Sequence, residues 1–187
     1  MTSPSDHYTT LPFPPARRII ADAGRLGGRR HVIHGLLELD VTPAREFLRQ
    51  HKQRTGETLS FTAYVVHGFA HAVDQDKRVQ AYCNWRHQLI VFDDVDVVTL
   101  IETERGGVAL PHVIRAANRK SFREIHDEIR AVQARPARSA QATSTLSKVA
   151  PHLPGWVRDI GYWLMRKSPL RLKRNAGTCI VTAVGMF

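Results

Sequence analysis

The chain has 187 residues, 43% of them hydrophobic, which is enough to bury one sizeable core, so a single domain is expected. Cys83 and Cys179 are too few for a disulfide framework and form no Cys-x-x-Cys pair, which favours a reducing cytoplasm. No stretch approaches the roughly 18 uninterrupted apolar residues of a membrane span, and the N-terminus lacks a signal-peptide core. The sequence therefore predicts a soluble, unsecreted, cytoplasmic protein.

The net charge of +10 comes from 27 lysines and arginines against 17 acids. The basic residues cluster at 17–30 and 166–174. A solvated basic surface explains them, and attraction of an anionic small molecule, such as a phosphate-bearing thiol cofactor, is the second interpretation. No basic stripe interleaved with aromatic residues is evident, so a nucleic-acid partner is not predicted.

The first half of the chain is predicted to hold a leader, three helices and one strand. Residues 1–15 are polar and proline-rich and are expected to be disordered. A short helix is predicted over 16–26, followed by a strand over 31–40. Thr42 is expected to cap a helix that Gly56 ends, with Pro43 in its first turn. The helix predicted over 60–74 is apolar nearly all round, which is typical of a buried helix.

The middle of the chain is rich in β-formers. Strands are predicted over 88–92 and 95–101, joined by Asp93 and Asp94, so a hairpin of these two strands is expected. A glycine-bearing turn at 104–107 leads into a strand candidate at 108–114.

The last third of the chain is predicted to be mainly helical before a final strand. Ser121 and Glu124 form a capping box that begins a helix ending near residue 134. A surface connection follows at 137–150. The amphipathic segment 156–167 indicates a helix, packed on its own domain or lying on an anionic membrane. Residues 178–184 predict a buried strand.

Several short motifs occur in a characteristic order along the chain. They are Leu-Ser-Phe-Thr-Ala-Tyr at 59–64, Val-Phe-Asp-Asp-Val-Asp-Val at 91–97, Arg-Gly-Gly-Val-Ala-Leu-Pro at 105–111, Val-Ile-Arg-Ala-Ala at 113–117, Lys-Ser at 120–121 and Glu-Ile at 124–125. This ordered set resembles the catalytic domain of dihydrolipoyl acyltransferases of 2-oxoacid dehydrogenase complexes. Chloramphenicol acetyltransferase is the more distant relative.

The resemblance covers about residues 17–187, so a catalytic-type domain is expected over 16–187, and it carries expectations of fold and assembly. It implies an α/β two-layer sandwich, in which helices cover one face of a mixed sheet. It also implies trimers whose active sites are shared between neighbouring subunits. Residues 137–174 form a basic insertion relative to the family pattern. No lipoyl module or attachment site is evident in this chain.

The segment 177–187 resembles the family strand that carries a serine, and Thr182 stands in the place of that serine. The resemblance implies that the hydroxyl hydrogen-bonds the oxyanion formed when a thiolate attacks a thioester. Threonine keeps the hydroxyl, although its methyl group restricts the rotamers. Without the resemblance, strand propensity alone explains a β-branched residue here. The implied function is acyl transfer from coenzyme A or a lipoyl-like thioester to a thiol or hydroxyl acceptor.

The second catalytic element of the family, a His-x-x-x-Asp-Gly motif, does not occur in the 187 residues. In the family its histidine deprotonates the attacking thiol, so the chain alone is expected to be weak or inactive. The domain is therefore expected to be C-terminally incomplete, either as a truncated sequence or as a chain completed by a partner. The alternative function is a non-catalytic assembly or regulatory subunit that pairs with a complete paralogue.

Four further residues are weighed as site candidates. Arg105 and Gly106 are candidates for shaping the substrate channel, although a structural turn is the favoured role for both. His67 and His71, four residues apart on a helix, have metal-ligand spacing but no evident third ligand. Packing is the favoured role for this pair, so no metal is expected.

Overall fold

The computed structural model describes residues 15–28, 31–101, 110–134 and 152–183. In chain order its elements are α1 (Pro15–Gly27), α2 (Thr42–Thr55), α3 (Phe61–Gln75), β1 (Tyr82–Cys83), β2 (Leu89–Ile90), β3 (Val97–Ile101), β4 (Leu110–Ile114), α4 (Phe122–Ala134), α5 (Gly155–Arg166), α6 (Pro169–Ala176) and β5 (Cys179–Val181). Short 3₁₀ turns precede β1, at Lys77–Gln80, and α4, at Ala117–Arg119.

The main sheet of the described chain has the strand order β4-β3-β5. β3 pairs antiparallel with β4 and parallel with β5, so the sheet is mixed. The register places Thr99 of β3 between His112 and Val181. Because neighbouring residues in register lie on the same face, these three side chains share one side of the sheet.

Helices α3 and α4 cover that side of the sheet. They pack against each other, and α4 also contacts β3. The core that they form with the sheet is made of small and branched apolar residues. Full burial of a valine or isoleucine side chain stabilises the folded state by about 1.5–3 kcal/mol. Its buried members are Ala63, Val66, Ala70, Val73, Val95, Val97, Ile101, Ile114, Ala117, Ile125, Ile129 and Val132. This arrangement confirms the predicted fold class, a mixed sheet with helices on one face.

The helix predicted over 60–74 is confirmed as α3, but it is not buried on all sides. Ala63, Val66, Ala70 and Val73 are the buried stripe, whereas the exposed face carries other apolar residues of the run. Burial on every side would require packing partners all round the helix, and the described core lies along one stripe only. Ser60 caps the helix by accepting a hydrogen bond from the Ala63 amide at 3.3 Å.

The predicted hairpin of residues 88–92 and 95–101 is wrong. β2 pairs with β1, and β3 pairs with β4 and β5. The tight turn forms at Asn84, whose side-chain oxygen accepts hydrogen bonds from the amides of Arg86 and Gln88, both at 2.9 Å. These local bonds reverse the chain before β2, so the pairing partner of β2 lies upstream.

The segment predicted as a strand at 31–40 forms no ladder with any described strand. Its residues are exposed, and a strand is defined by the partner that receives its backbone hydrogen bonds.

The cap predicted for α2 also differs. Thr42 is the first helical residue, and the carboxylate of Asp40 accepts a hydrogen bond from its amide at 2.9 Å. Gly56 ends α2 in a left-handed conformation, as predicted.

The remaining elements follow the sequence closely. The capping box of α4 is confirmed, since the Ser121 amide donates to Glu124 at 2.8 Å and the Glu124 amide donates to the Ser121 hydroxyl at 3.3 Å. The final strand is confirmed as β5, although Ile180 is largely exposed and the strand is only partly buried. The predicted surface connection at 137–150 and most of the leader at 1–15 lie outside the described residues. Within the described ranges, no helix has the length and apolarity needed to cross a membrane.

Candidate active site

A buried aspartate lies where the start of β3, the end of β4 and the start of β5 meet. Asp96 immediately precedes β3 and is only 5% exposed. Its carboxylate accepts hydrogen bonds from the Ala116 amide at 2.9 Å and from the Arg115 guanidinium at 2.8 Å. Arg115 also donates to the carbonyls of Lys173 and Arg174. The network therefore connects the start of β3, the end of β4 and the end of α6.

The backbone of Asp96 also holds the start of β5. Its carbonyl accepts hydrogen bonds from the amides of Thr178 at 2.8 Å and Cys179 at 3.2 Å. The Asp96 amide lies 3.1 Å from the Thr178 hydroxyl and donates to it. One residue thus fixes both where β5 begins and how it lies beside β3.

Gly177 is the residue that lets β5 approach β3 so closely. Its φ of 63° is in the left-handed region, which favours glycine. A Cβ atom at this position would lie 2.7 Å from the Asp96 carbonyl oxygen and 2.9 Å from a methyl group of Val98. The Gly177 carbonyl accepts a hydrogen bond from the Tyr82 hydroxyl at 3.0 Å. A side chain at residue 177 would therefore displace the strand.

Thr182 directly follows β5 and is exposed. None of the hydrogen bonds among the described residues involves its hydroxyl group. The structure thus presents the hydroxyl to solvent at the carboxyl end of a strand whose start is held firmly. Arg105 and Gly106 lie outside the described residues, and their predicted role stays a prediction.

Two histidines are buried and already engaged. His112 lies 2.8 Å from a carboxylate oxygen of Glu128, and the second oxygen of Glu128 accepts from Lys120 at 2.6 Å. The ring of His126 accepts a hydrogen bond from the Ser60 amide at 3.0 Å, and burial lowers the pKa of this histidine. Because both rings are withdrawn from solvent, neither is placed to take a proton from a substrate thiol.

His67 and His71 lie side by side on the outer part of α3, with their Nε2 atoms 3.0 Å apart. Burial and the neighbouring His71 lower the pKa of His67. The His67 ring also makes an edge contact with Phe122, at a centroid distance of 6.4 Å. Among the described residues, no group of three histidine, cysteine or acidic side chains is arranged to hold a metal ion.

The sequence reasoning missed Asp96 and Glu128. Asp96 had a signal, because a charged residue interrupts the apolar run Val95-Asp96-Val97 that enters a strand. Buried carboxylates occur almost only with partners, so an acid in such a run indicates a structural network. Glu128 had no such signal. Its position on α4 is that of an ordinary surface residue, and its partner His112 lies on β4, distant in the sequence.

The Glu128 carboxylate is expected to make stability depend on pH. Burial raises its pKa, but the hydrogen bonds from His112 and Lys120 outweigh burial and hold the pKa below the ordinary value of 4.5. A pKa that is lower in the folded state contributes stability that is present above the unfolded pKa and is lost as pH falls through the folded pKa. Glu128→Gln should therefore lower the free energy of unfolding near pH 7 and reduce its decline in acid.

Urea unfolding from about pH 7 to about pH 3 would measure this dependence. Glu46→Gln, at an exposed position of α2, is the matched control. Identical pH dependence in Glu128→Gln and the unsubstituted protein would contradict the assignment.

A mixed sheet covered by helices on one face defines the class of fold. Solved structures with a similar fold include the three that follow. The truncated catalytic core of the 2-oxoacid dehydrogenase multienzyme complex from Thermoplasma acidophilum is 24% identical with a TM-score of 0.58, over 70% of this chain and 62% of that one. A probable dihydrolipoamide acetyltransferase from Listeria monocytogenes 4b F2365 is 18% identical with a TM-score of 0.61, over 95% and 65%. The Azotobacter vinelandii dihydrolipoamide acetyltransferase is 16% identical with a TM-score of 0.62, over 79% and 63%.

The sequence itself identifies the family. The model of the 2-oxoacid dehydrogenases acyltransferase catalytic domain matches residues 7–147, so the chain belongs to this family of transferase enzymes. Among curated proteins no match was found. The chain spans less than two thirds of the length of each of the three solved structures.

Proposed function

We propose that this chain takes part in acyl transfer from coenzyme A or a lipoyl-like thioester to a thiol or hydroxyl acceptor, with Thr182 as the oxyanion donor. The observation that carries this proposal is the exposed Thr182 hydroxyl at the end of β5. An oxyanion donor must be free to meet substrate and must also be held in place. The contacts of Asp96 and Gly177 at the start of the strand provide the second condition.

The proposed reaction proceeds through a tetrahedral intermediate. The acceptor thiolate or alkoxide attacks the thioester carbonyl carbon, and the electron pair of the C=O bond moves to oxygen. The Thr182 O–H donates a hydrogen bond to that oxyanion, and one such donor lowers the barrier by about 3 kcal/mol. Collapse of the intermediate restores the carbonyl and breaks the C–S bond. The donor leaves as a thiolate, which takes up the proton that the base removed from the acceptor, and the acceptor carries the acyl group.

The acceptor thiol must first lose its proton, and we propose that a second subunit supplies the base. The described buried histidines are engaged, and the 187 residues hold no His-x-x-x-Asp-Gly. The Azotobacter vinelandii enzyme was solved to investigate a serine, a histidine and an asparagine in its catalytic mechanism. The proposed pair, the Thr182 hydroxyl and a histidine from a second subunit, uses the same two kinds of side chain, a hydroxyl residue and a histidine. A general base contributes about 10²–10⁴-fold, so a polypeptide of these 187 residues alone should transfer weakly.

The same observations support an assembly in which sites are shared. The Thermoplasma structure is the core of a multienzyme complex. We propose a mixed oligomer with a complete paralogue, which would supply the base, or a homotrimer, which would transfer weakly for want of it; either is proposed to lie in the cytoplasm. The second candidate function is that of a non-catalytic assembly or regulatory subunit in such a mixed oligomer. The positive charge of the chain suits the phosphates of coenzyme A as acyl carrier, and Arg105 and Gly106 are proposed to shape the channel for it.

A complementation assay tests this proposal. The probes are acetyl-CoA as acyl donor and dihydrolipoamide as acceptor, and release of free coenzyme A is measured. The partner is a complete family member whose active-site serine is replaced by alanine, so that it retains its histidine but lacks the hydroxyl. Turnover of the mixture above that of either protein alone supports a shared site. Co-migration of the two proteins on gel filtration without turnover would instead support the non-catalytic subunit.

Thr182→Val is expected to reduce turnover in that mixture by about 100-fold, since valine keeps the shape and removes the hydroxyl donor. Thr182→Ser retains the hydroxyl and should retain most of the activity. Thermal unfolding of both variants would show whether the fold is preserved. An unchanged rate with valine would assign residue 182 to structure, and robust turnover by the isolated chain would overturn the proposed need for an external base.

A further inference from the structure

Helix α5 exposes an apolar stripe. Trp156, Ile160, Trp163 and Leu164 follow the spacing i, i+4, i+7 and i+8, which places them on one helix face. Their exposed fractions are 67%, 51%, 56% and 45%, and α5 contains no buried residue. The segment is helical, as predicted, but its apolar stripe stays largely exposed.

The opposite face of α5 is attached to α1 by charged contacts. The Arg158 guanidinium donates to the Asp22 carboxylate at 2.6 Å, and both side chains are nearly buried. Asp159 binds Arg25 of α1 as well. Because polar residues provide the attachment to α1, the apolar stripe is directed away from it and toward solvent.

Cations accompany the stripe at its C-terminal end. The Lys167 ammonium lies over the Trp163 ring, 3.7 Å from its centre, in a cation–π contact. Arg166, Arg171 and Arg174 are exposed in the same stretch. Asp159 is the one acid between residues 155 and 176, and it is paired with Arg25. Residues 156–174 therefore combine exposed tryptophans and aliphatic residues with exposed cations that no unpaired acid between residues 155 and 176 offsets.

We propose that α5, together with the start of α6, binds to the surface of an anionic lipid bilayer. The apolar stripe would enter the boundary between headgroups and acyl chains, while the cations would meet the lipid phosphates. Tryptophans on one face with cations beside them are the features of helices that lie in the plane of a membrane. None of the residues proposed for acyl transfer, Thr182, Arg105 and Gly106, lies within residues 155–176, so the test of this surface does not depend on that proposal.

Charge complementarity favours a lipid surface over a second protein molecule as the occupant. A protein groove for this stripe would have to place its own acids beside each of the cations at 166, 167, 171 and 174. An anionic bilayer supplies negative charge over its whole area, and each cation near such a surface strengthens binding about fivefold. Amphipathic helices bury their apolar face about 5–10 Å deep in a bilayer surface. That depth is sufficient for one apolar stripe on a helix that is too short and too polar to cross the membrane.

Vesicle binding by the full chain tests this proposal directly. The probes are vesicles of phosphatidylcholine alone and of phosphatidylcholine with phosphatidylglycerol, and bound protein is measured by co-sedimentation. In the Trp85→Phe variant, Trp156 and Trp163 are the only tryptophans, so their emission reports the stripe alone. We expect a blue shift and binding with the anionic vesicles, and weakening of binding in about 1 M salt.

Substitutions distinguish binding through the stripe from non-specific binding through any exposed tryptophan. Trp163→Ser should weaken binding to anionic vesicles by about tenfold or more, as expected for an aromatic side chain that leaves an apolar environment. Trp85→Ser is the matched control, because Trp85 is also exposed, at 78%, and also carries a cation, Arg86, over its ring. Lys167→Gln combined with Arg171→Gln should weaken binding to anionic vesicles while circular dichroism stays unchanged.

Three results would overturn the proposal. One is the absence of binding to anionic vesicles, and the second is equal loss of binding in Trp85→Ser and Trp163→Ser. The third is a decrease in the sedimentation coefficient of Trp163→Ser in lipid-free buffer, which would assign the stripe to an interface between protein molecules.

Discussion

Gly177→Ala is expected to lower the free energy of unfolding by about 2–6 kcal/mol, the sum of a backbone-strain cost of about 1–3 kcal/mol and an overpacking cost of about 1–3 kcal/mol. At φ 63° and ψ −170° the backbone of Gly177 lies in a region that essentially only glycine adopts. The new methyl group would also lie 2.7 Å from the Asp96 carbonyl oxygen, and backbone atoms cannot rotate away. Urea unfolding of the purified variant measures the loss.

Gly56→Ala is the comparison at a glycine of positive φ that has open space around it. Gly56 has φ 76° and ψ −8°, in the ordinary left-handed region, and no atom lies within 4 Å of the position of its missing Cβ. Its substitution should cost only the backbone part, about 1–2 kcal/mol. Equal losses in the two variants would contradict the close approach of β5 to β3. Since Gly177 also positions the strand that ends at Thr182, its variant should lose activity in the complementation assay as well.

Asp96→Ala is expected to destabilise the fold by about 2–4 kcal/mol, somewhat less than the loss of one partner from a wholly buried ion pair. The substitution leaves the Ala116 amide without its acceptor and removes the carboxylate that pairs with the Arg115 guanidinium, which keeps only the carbonyls of Lys173 and Arg174. The reduction relative to a wholly buried pair follows from the Arg115 side chain, which is 41% exposed and can be hydrated. Thermal and urea unfolding would both report the change.

Glu46→Ala is the comparison for this second prediction, because the Glu46–Arg49 pair is exposed on α2 and should contribute much less. A loss in Asp96→Ala no larger than in Glu46→Ala would show that Asp96 does not hold the junction. Asp96→Asn preserves the shape of the side chain and removes its charge, so it separates charge from packing.

Local patterns in the sequence were sufficient where the interactions are themselves local. The capping box of α4 and the left-handed Gly56 after α2 depend on residues within one helical turn. The ordered motifs, compared with a family, also pointed to a mixed sheet covered by helices, which the structure confirms.

Predictions failed where the outcome depended on distant partners. The hairpin was assigned to the wrong pair of strands because Asn84 closes a turn upstream, and β3 finds β4 and β5 instead. Residues 31–40 have strand composition, but no described strand receives their hydrogen bonds. Strand pairing joins residues far apart in the chain, so periodicity shows that a segment is strand-like without showing its neighbour.

By itself the sequence determined the family, the helices with local start and stop signals, and Thr182 as the residue to test. Only the tertiary structure decided that Asp96 and Gly177 hold β5, that His112 and His126 are engaged in the interior, and that the stripe of α5 faces solvent. The physical reason is that burial, ion pairing and close backbone approach arise between elements. A side chain's partner is set by the packing of the whole chain, and no local pattern records it.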